Sequence, residues 1–430
     1  MATDGHQRIT SNADAPPQDV RNPAGEPVLD RRTLLTGAAA WAGLAAAQAA
    51  LPSSGAAAPR QGTGQERASA LPGQPPRPYG QRAAFERAVR LAGPFHSLTP
   101  LQTLDGLITP SALHFERHHN GVPVIDPARH KLLIHGLVER SMIFTLDDLR
   151  RFPATTRMAF IECSGNSGHE WQKPTGKTAQ DTHGLFSVSE WTGVPLATVL
   201  REVGAKPEAA WMLAEGADAA LMTRSLPLAD VLEEALLCYA QNGEALRPEQ
   251  GYPLRLLLPG WEGNANVKWL RRLKLGAAPF MTRDETAHYT DLLPDGTARQ
   301  FTFVMDAKSV ITTPSGGHRL VTGLHEIRGL AWSGRGRIVA VEISVDAGRS
   351  WQPAALQQPT LPKCATVFRL PWRWNGQEHI LQSRCTDETG YVQPTRQALV
   401  AVRGTQSYYH NNAIQSWLVM KDGTVQNIHV

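Results

Sequence analysis

Val339, Val341, Ile343 and Val345 alternate with Ala340, Glu342, Ser344 and Asp346, the period-two pattern of a strand with one buried and one wet face. Asp346-Ala-Gly348 supplies its turn and Trp351 an aromatic anchor. Short apolar runs at 366–370, 379–385 and 397–403, spaced by Pro and Gly, predict further strands of an all-β, immunoglobulin-like sandwich. Between residues 100 and 276 the pattern differs. HKLLIHGLVE reads as a strand, and Thr145-Leu-Asp-Asp148 as a capping box opening a short helix that ends before Pro153. Met158 to Ile161 is an apolar strand that delivers Cys163. Pro195, at a first helical position, leads Leu196, Val199, Leu200 and Val203 along one helix face to a stop at Gly204. ALLCYAQNGEAL gives a strand and an Asn242-Gly243 hairpin turn. The fold class is therefore α+β: a mixed α/β domain over 96–300, then the sandwich over 301–430.

The chain has 430 residues, more than the roughly 100 to 200 of one domain. Its first 80 residues are rich in Ala, Gly, Pro, Gln and Ser and read as unfolded. Within them Arg31 and Arg32 precede a mildly apolar segment from Leu34 to Leu51 and the small residues Ala56, Ala57 and Ala58. This resembles a twin-arginine export signal, and the alternatives are an Ala-rich leader or a membrane span. The segment is Ala-rich and barely long enough to span. The expected layout is a signal and leader at 1–58 and a linker at 59–95, with export to the periplasm and no span left after signal removal.

A formal charge of +4 with 19% charged residues is too small to argue for nucleic acid. Cys163, Cys238, Cys364 and Cys385 show no C-x-x-C spacing, which argues against structural zinc. Cys364 and Cys385 either pair or remain separate buried thiols, and Cys238 reads as core. Cys163 ends a buried strand and enters Ser164-Gly165-Asn166-Ser167-Gly168. The loop's N–H groups could stabilise a thiolate open to a soft metal, or the cysteine is structural. Arg117, His118 and His119 lie on a turn-rich arm. Neighbouring residues of a strand face opposite ways, so the two histidines do not form a metal pair. Arg255, in an apolar strand, must have a partner. Lys268 follows the small-residue loop Gly263-Asn264-Ala265-Asn266. Arg117, Arg255 and Lys268 together suggest a pocket for phosphate or oxyanions.

ECSGN, FERHHNGVP, QGYPLR and NANVKWL occur in the order and spacing of the sulfite oxidase family of molybdopterin enzymes, which the chain resembles over about residues 100 to 430. VEISVDAGRSW and DETGYVQP resemble that family's dimerisation domain. KPTGKTAQDTHGLFSVSEWTGVPL, AEGADAALMTRSLPL, TRDETAHYTDLLPDG and YYHNNAIQSWLV resemble its sulfane-oxidising branch. The resemblance implies a molybdenum–molybdopterin cofactor, with Cys163 as the protein thiolate on the metal. It makes His119, Asp218, Arg255, Asn266, Val267 and Lys268 pterin-binding positions, Arg117 the residue that receives an anionic substrate, and Tyr289 the active-site tyrosine. It further implies a homodimer, a c-type cytochrome subunit as electron acceptor, and a sulfur-carrier protein whose cysteine presents the sulfane. The chain has no C-x-x-C-H, so a covalent haem belongs to another subunit. Three positions depart from the family: His118 where Asn is common, Gln250 where His is common, and no obvious counterpart of a C-terminal arginine near SWLV. These suggest a substrate larger than free sulfite, which is the alternative.

Overall fold

Local turn chemistry organises the first domain. The strand Leu236–Gln241 returns as Glu244–Ala245 through Asn242 and Gly243. Both have positive φ, 51° and 77°, as a two-residue hairpin requires. On its other edge it pairs antiparallel with Phe186–Pro195, which pairs with Thr155–Glu162. Arg255–Leu257 lies beside its first half, with Arg255 opposite Cys238. This sheet thus places Cys163 one residue past a strand end and Arg255 on a strand separated from it by two others.

The structure, a computed structural model, describes residues 75–430; the export segment expected at 1–58 lies outside the described residues. A second, mixed sheet runs Met142–Phe144, Leu132–Gly136, Leu270–Gly276, Trp211–Gly216, Thr223–Pro227. Only the pairing of Leu270–Gly276 with Leu132–Gly136 is parallel. The capping box forms: Thr145 and Asp148 exchange side-chain and backbone hydrogen bonds at the start of Leu146–Arg150. Pro195 is the capping residue rather than the first helical one. The helix Leu196–Val203 buries its four predicted apolar residues in one core with Leu132, Ile134, Leu237 and Leu273. Gly204, at φ 68°, ends it.

The second domain packs two antiparallel sheets. One runs Lys308–Thr313, Gly323–Trp332, Thr366–Trp374, Ala355–Leu356; the other runs Gln352–Pro353, Ile338–Ser344, His379–Asp387, Ser416–Val419, Val425–Ile428. The strand expected at 397–403 is instead a helix, Arg396–Arg403. Its apolar run misled, because only Arg403 is buried and no sheet neighbour holds the segment extended. Thr395 Oγ1 accepts from Ala398 N, Gly404 stops the helix, and local propensity decides. Cys364 and Cys385 are separate buried thiols in different apolar clusters. No helix of the described residues is long and apolar enough to cross a membrane.

Glu162 joins the two domains. Fully buried, its carboxylate accepts from Lys308 Nζ at 2.9 Å, Trp332 Nε1 at 2.6 Å and Asn166 Nδ2 at 2.9 Å. Lys308 begins the sandwich, so the residue before Cys163 is tied to the second domain.

Candidate active site

Cys163 opens a tight turn in which its N–H donates to Leu185 O at 3.0 Å and its carbonyl accepts from Asn166 N at 2.8 Å. The glycines that follow serve a contact that sequence reading missed. A Cβ on Gly165 would lie 2.9 Å from the Tyr408 ring, and one on Gly168 2.8 Å from Tyr408 O. They admit the returning C-terminal segment, where His410 N donates to Ser164 O and Asn411 Nδ2 to Ser167 O. Burial pushes the Cys163 thiol up, and a hydrogen bond from Gly165 only partly opposes it. The loop alone therefore does not hold a thiolate; a bound cation would displace the proton.

The arm arrives through a small sheet in which His96–Leu98 pairs with Glu116–Arg117. Lys268 Nζ fixes it by donating to Arg117 O and Glu249 O, both at 3.0 Å. Arg255 does have partners, but they are carbonyls: Gln250 O at 2.9 Å and Asn266 O at 3.1 Å. Its guanidinium also faces the Trp191 ring. Burial lowers Arg255 to about 10 and Lys268 to about 7. Asn266 spends its side chain within its own loop, on Leu258 N, Trp261 O and Glu262 O. Asp218 accepts from Met222 N at 3.1 Å. Both shape backbone as much as they offer polar atoms. Tyr289 hydrogen-bonds His119 Nε2 at 3.1 Å. Burial, followed by the charge of Cys163, holds the Tyr289 phenol well above its ordinary value, and burial holds His119 low. At neutral pH Tyr289 is thus a protonated donor.

Arg117, His119, Cys163, Asp218, Arg255, Asn266, Val267, Lys268 and Tyr289 all line one pocket enclosing about 680 Å³, part of it open to solvent. His118 lines it too, beside His119. Gln250 does not reach in with a charge; its Nε2 donates to Phe115 O at 2.7 Å and steadies the arm. Sequence reading missed Asn264, whose Nδ2 donates to Ser164 Oγ at 2.9 Å; its only signal was its place in NANV.

The walls suit a large anionic cofactor. Among the described residues Arg255 and Lys268 have no carboxylate within ion-pairing distance, and Arg255 Nε, His118 Nδ1, Asn264 Oδ1 and His114 Nε2 are buried without a partner. Native proteins seldom leave such groups unmet. Among the described residues no three His, Cys, Asp or Glu side chains are arranged to hold a metal. A metal at Cys163 would therefore bring its other ligands with it, as a pterin dithiolene does. Lys268 provides a test on the apo protein. It is protonated below about pH 7, so sulfate affinity, measured by calorimetry, is expected to fall as pH rises through 7. Lys268→Met is expected to remove that dependence.

This fold and this pocket define an oxidoreductase that binds molybdopterin. Residues 119–283 match the oxidoreductase molybdopterin binding domain, and residues 299–417 the Mo-co oxidoreductase dimerisation domain. The crystal structure of the sulfane dehydrogenase SoxCD from Paracoccus pantotrophus aligns with a TM-score of 0.82 at 47% identity, covering 84% of this chain and 96% of that one. The chain belongs to the sulfite oxidase family. It is 30% identical to mitochondrial sulfite oxidase of Mus musculus over 346 residues, 74% of this chain and 63% of that protein. It is 32% identical to the nitrate reductase of Ulva prolifera over 327 residues, 66% of this chain and 37% of that protein. It thus spans under two thirds of either relative.

Proposed function

We propose that this chain is the molybdenum subunit of an exported sulfane dehydrogenase, which oxidises sulfur carried on a protein cysteine and passes electrons to a c-type cytochrome. The observation that carries the reading is the pocket that joins Cys163 to Arg255 and Lys268, whose partners among the described residues are carbonyls and not carboxylates, in a chain 47% identical to SoxCD. When bound, the cofactor supplies the two-electron oxidation of sulfur. Cys163 would hold the metal, and Arg255, Lys268 and main-chain groups around Asn266 and Val267 would hold the pterin and its phosphate. Arg117 would receive the substrate's negative charge. Tyr289, kept protonated by burial, would donate a hydrogen bond to the reacting oxygen and pass a proton to or from His119. An open groove beside the Cys163 loop, lined by His169, Lys173, Lys177 and Tyr408, supports a substrate larger than an ion. The twin-arginine-like Arg31 and Arg32 support export, and the dimerisation domain supports a homodimer.

The test is turnover by the purified, metal-loaded protein with its cytochrome. Carrier-bound sulfane is expected to be oxidised with a higher kcat/KM than free sulfite; the reverse order would favour a sulfite dehydrogenase. Absence of molybdenum and pterin from protein matured in a competent host would refute both.

A further inference from the structure

Arg224, given no role in the sequence analysis, is 1% exposed and lies on the strand Thr223–Pro227 behind the pocket. Its guanidinium binds Glu285 Oε1 through Nε at 2.7 Å and Glu262 Oε1 through Nη1 at 2.8 Å. Both carboxylates are buried, and His410 Nε2 adds a contact to Glu262 Oε2 at 3.2 Å. Such a cluster is a poor device for stability, since apolar replacements of buried ion clusters are often as stable. What it does provide is fixed geometry. The Arg224 guanidinium lies 4.9 Å from the Tyr289 ring centre, on the side of a residue held at φ 52°. Left-handed backbone at a bulky residue persists only where its surroundings impose it. Glu262 reaches the other wall: its backbone bridges to Glu162, and a Cβ on the adjacent Gly263 would meet Cys163 Cα at 3.3 Å.

We propose that Arg224 is a positioning residue, which backs the Tyr289 ring so that its hydroxyl meets His119 and, through Glu262, sets that hydroxyl's place relative to Cys163. The catalytic part of this inference rests on the function proposed above; the geometric part does not. In the metal-loaded enzyme with its cytochrome, Arg224→Lys keeps a charge for one carboxylate but loses the planar face. It is expected to lower kcat by roughly 10- to 100-fold, the range for a supporting partner, with KM changed less than kcat. In a Tyr289→Phe background the same change is expected to cost much less, because the hydroxyl it positions is gone. Independently of turnover, the His119 ring nitrogens, followed by ¹⁵N NMR in the apo protein, are expected to lose the Tyr289 hydrogen bond in Arg224→Lys. Fully additive rate losses, or an unchanged His119 signal, would overturn the proposal. Should Arg224→Lys fail to fold, Glu285→Gln, which keeps the shape and weakens one ion pair, is read the same way. Wild-type protein inactive on both sulfane and sulfite would sink the functional reading, and the NMR result would still judge the geometry.

Discussion

Cys163→Ser is expected to abolish turnover while the protein stays folded. A soft thiolate suits the metal, and a serine hydroxyl is a hard donor that ionises far less readily. Cys163 lies at the pocket wall, only partly buried against an apolar cluster that includes Phe115 and Ile161, and its backbone hydrogen bonds to Leu185 and Asn166 do not involve the sulfur. The substitution therefore leaves the turn's framework intact, and the thermal midpoint of the apo protein is expected to shift little. The rate loss should exceed the roughly 100-fold that follows removal of a supporting partner. Metal analysis, steady-state rate and thermal unfolding check it together. A variant that keeps even about a tenth of wild-type activity would be inside that range, and Cys163 would then not be the metal's ligand.

Lys308→Met is expected to produce the largest loss of stability. Glu162 is fully buried, and Lys308 is its only cationic partner among the described residues. Removing one member of a buried pair strands the other charge, at a cost of about 3–5 kcal/mol. Trp332 Nε1 and Asn166 Nδ2 would remain as donors to Glu162, which places the expected loss toward the lower end of that range. The double variant Glu162→Gln/Lys308→Met should recover part of it, since no charge is left behind. Urea unfolding of the three proteins measures this. A loss under about 1 kcal/mol for the single variant, the scale of an exposed pair, would mean the joint is not held by charge.

Features set by a few neighbouring residues were legible in the sequence. The capping box at Thr145, the left-handed pair at Asn242 and Gly243, and the apolar face of Leu196–Val203 each formed as their local chemistry dictates. The segment 397–403 was misread because its apolar run from Ala398 to Val402 outweighed the better signal, Thr395 before it and Gly404 after. At the site, the residues matched through family resemblance share one pocket, yet nothing local could say how they are held. Arg224 sits 61 residues from Glu285 and 38 from Glu262. Glu162 sits 146 from Lys308. Partnerships over such separations leave no periodicity to read. The glycines after Cys163 admit Tyr408 from the C-terminal segment, an approach that no local pattern announces.

The grip of residues 408–411 on the cysteine loop sets an order of events during synthesis. Ser167 and Asn411 are 244 residues apart, so a ribosome has made the whole first domain long before the strap that finishes its loop exists. Until that strap is delivered, Ser164 O and Ser167 O lack their donors and the space above Gly165 stays unfilled. A chain stopped at Gly404 lacks both donors and the Tyr408 ring, and it is expected to copurify without molybdenum.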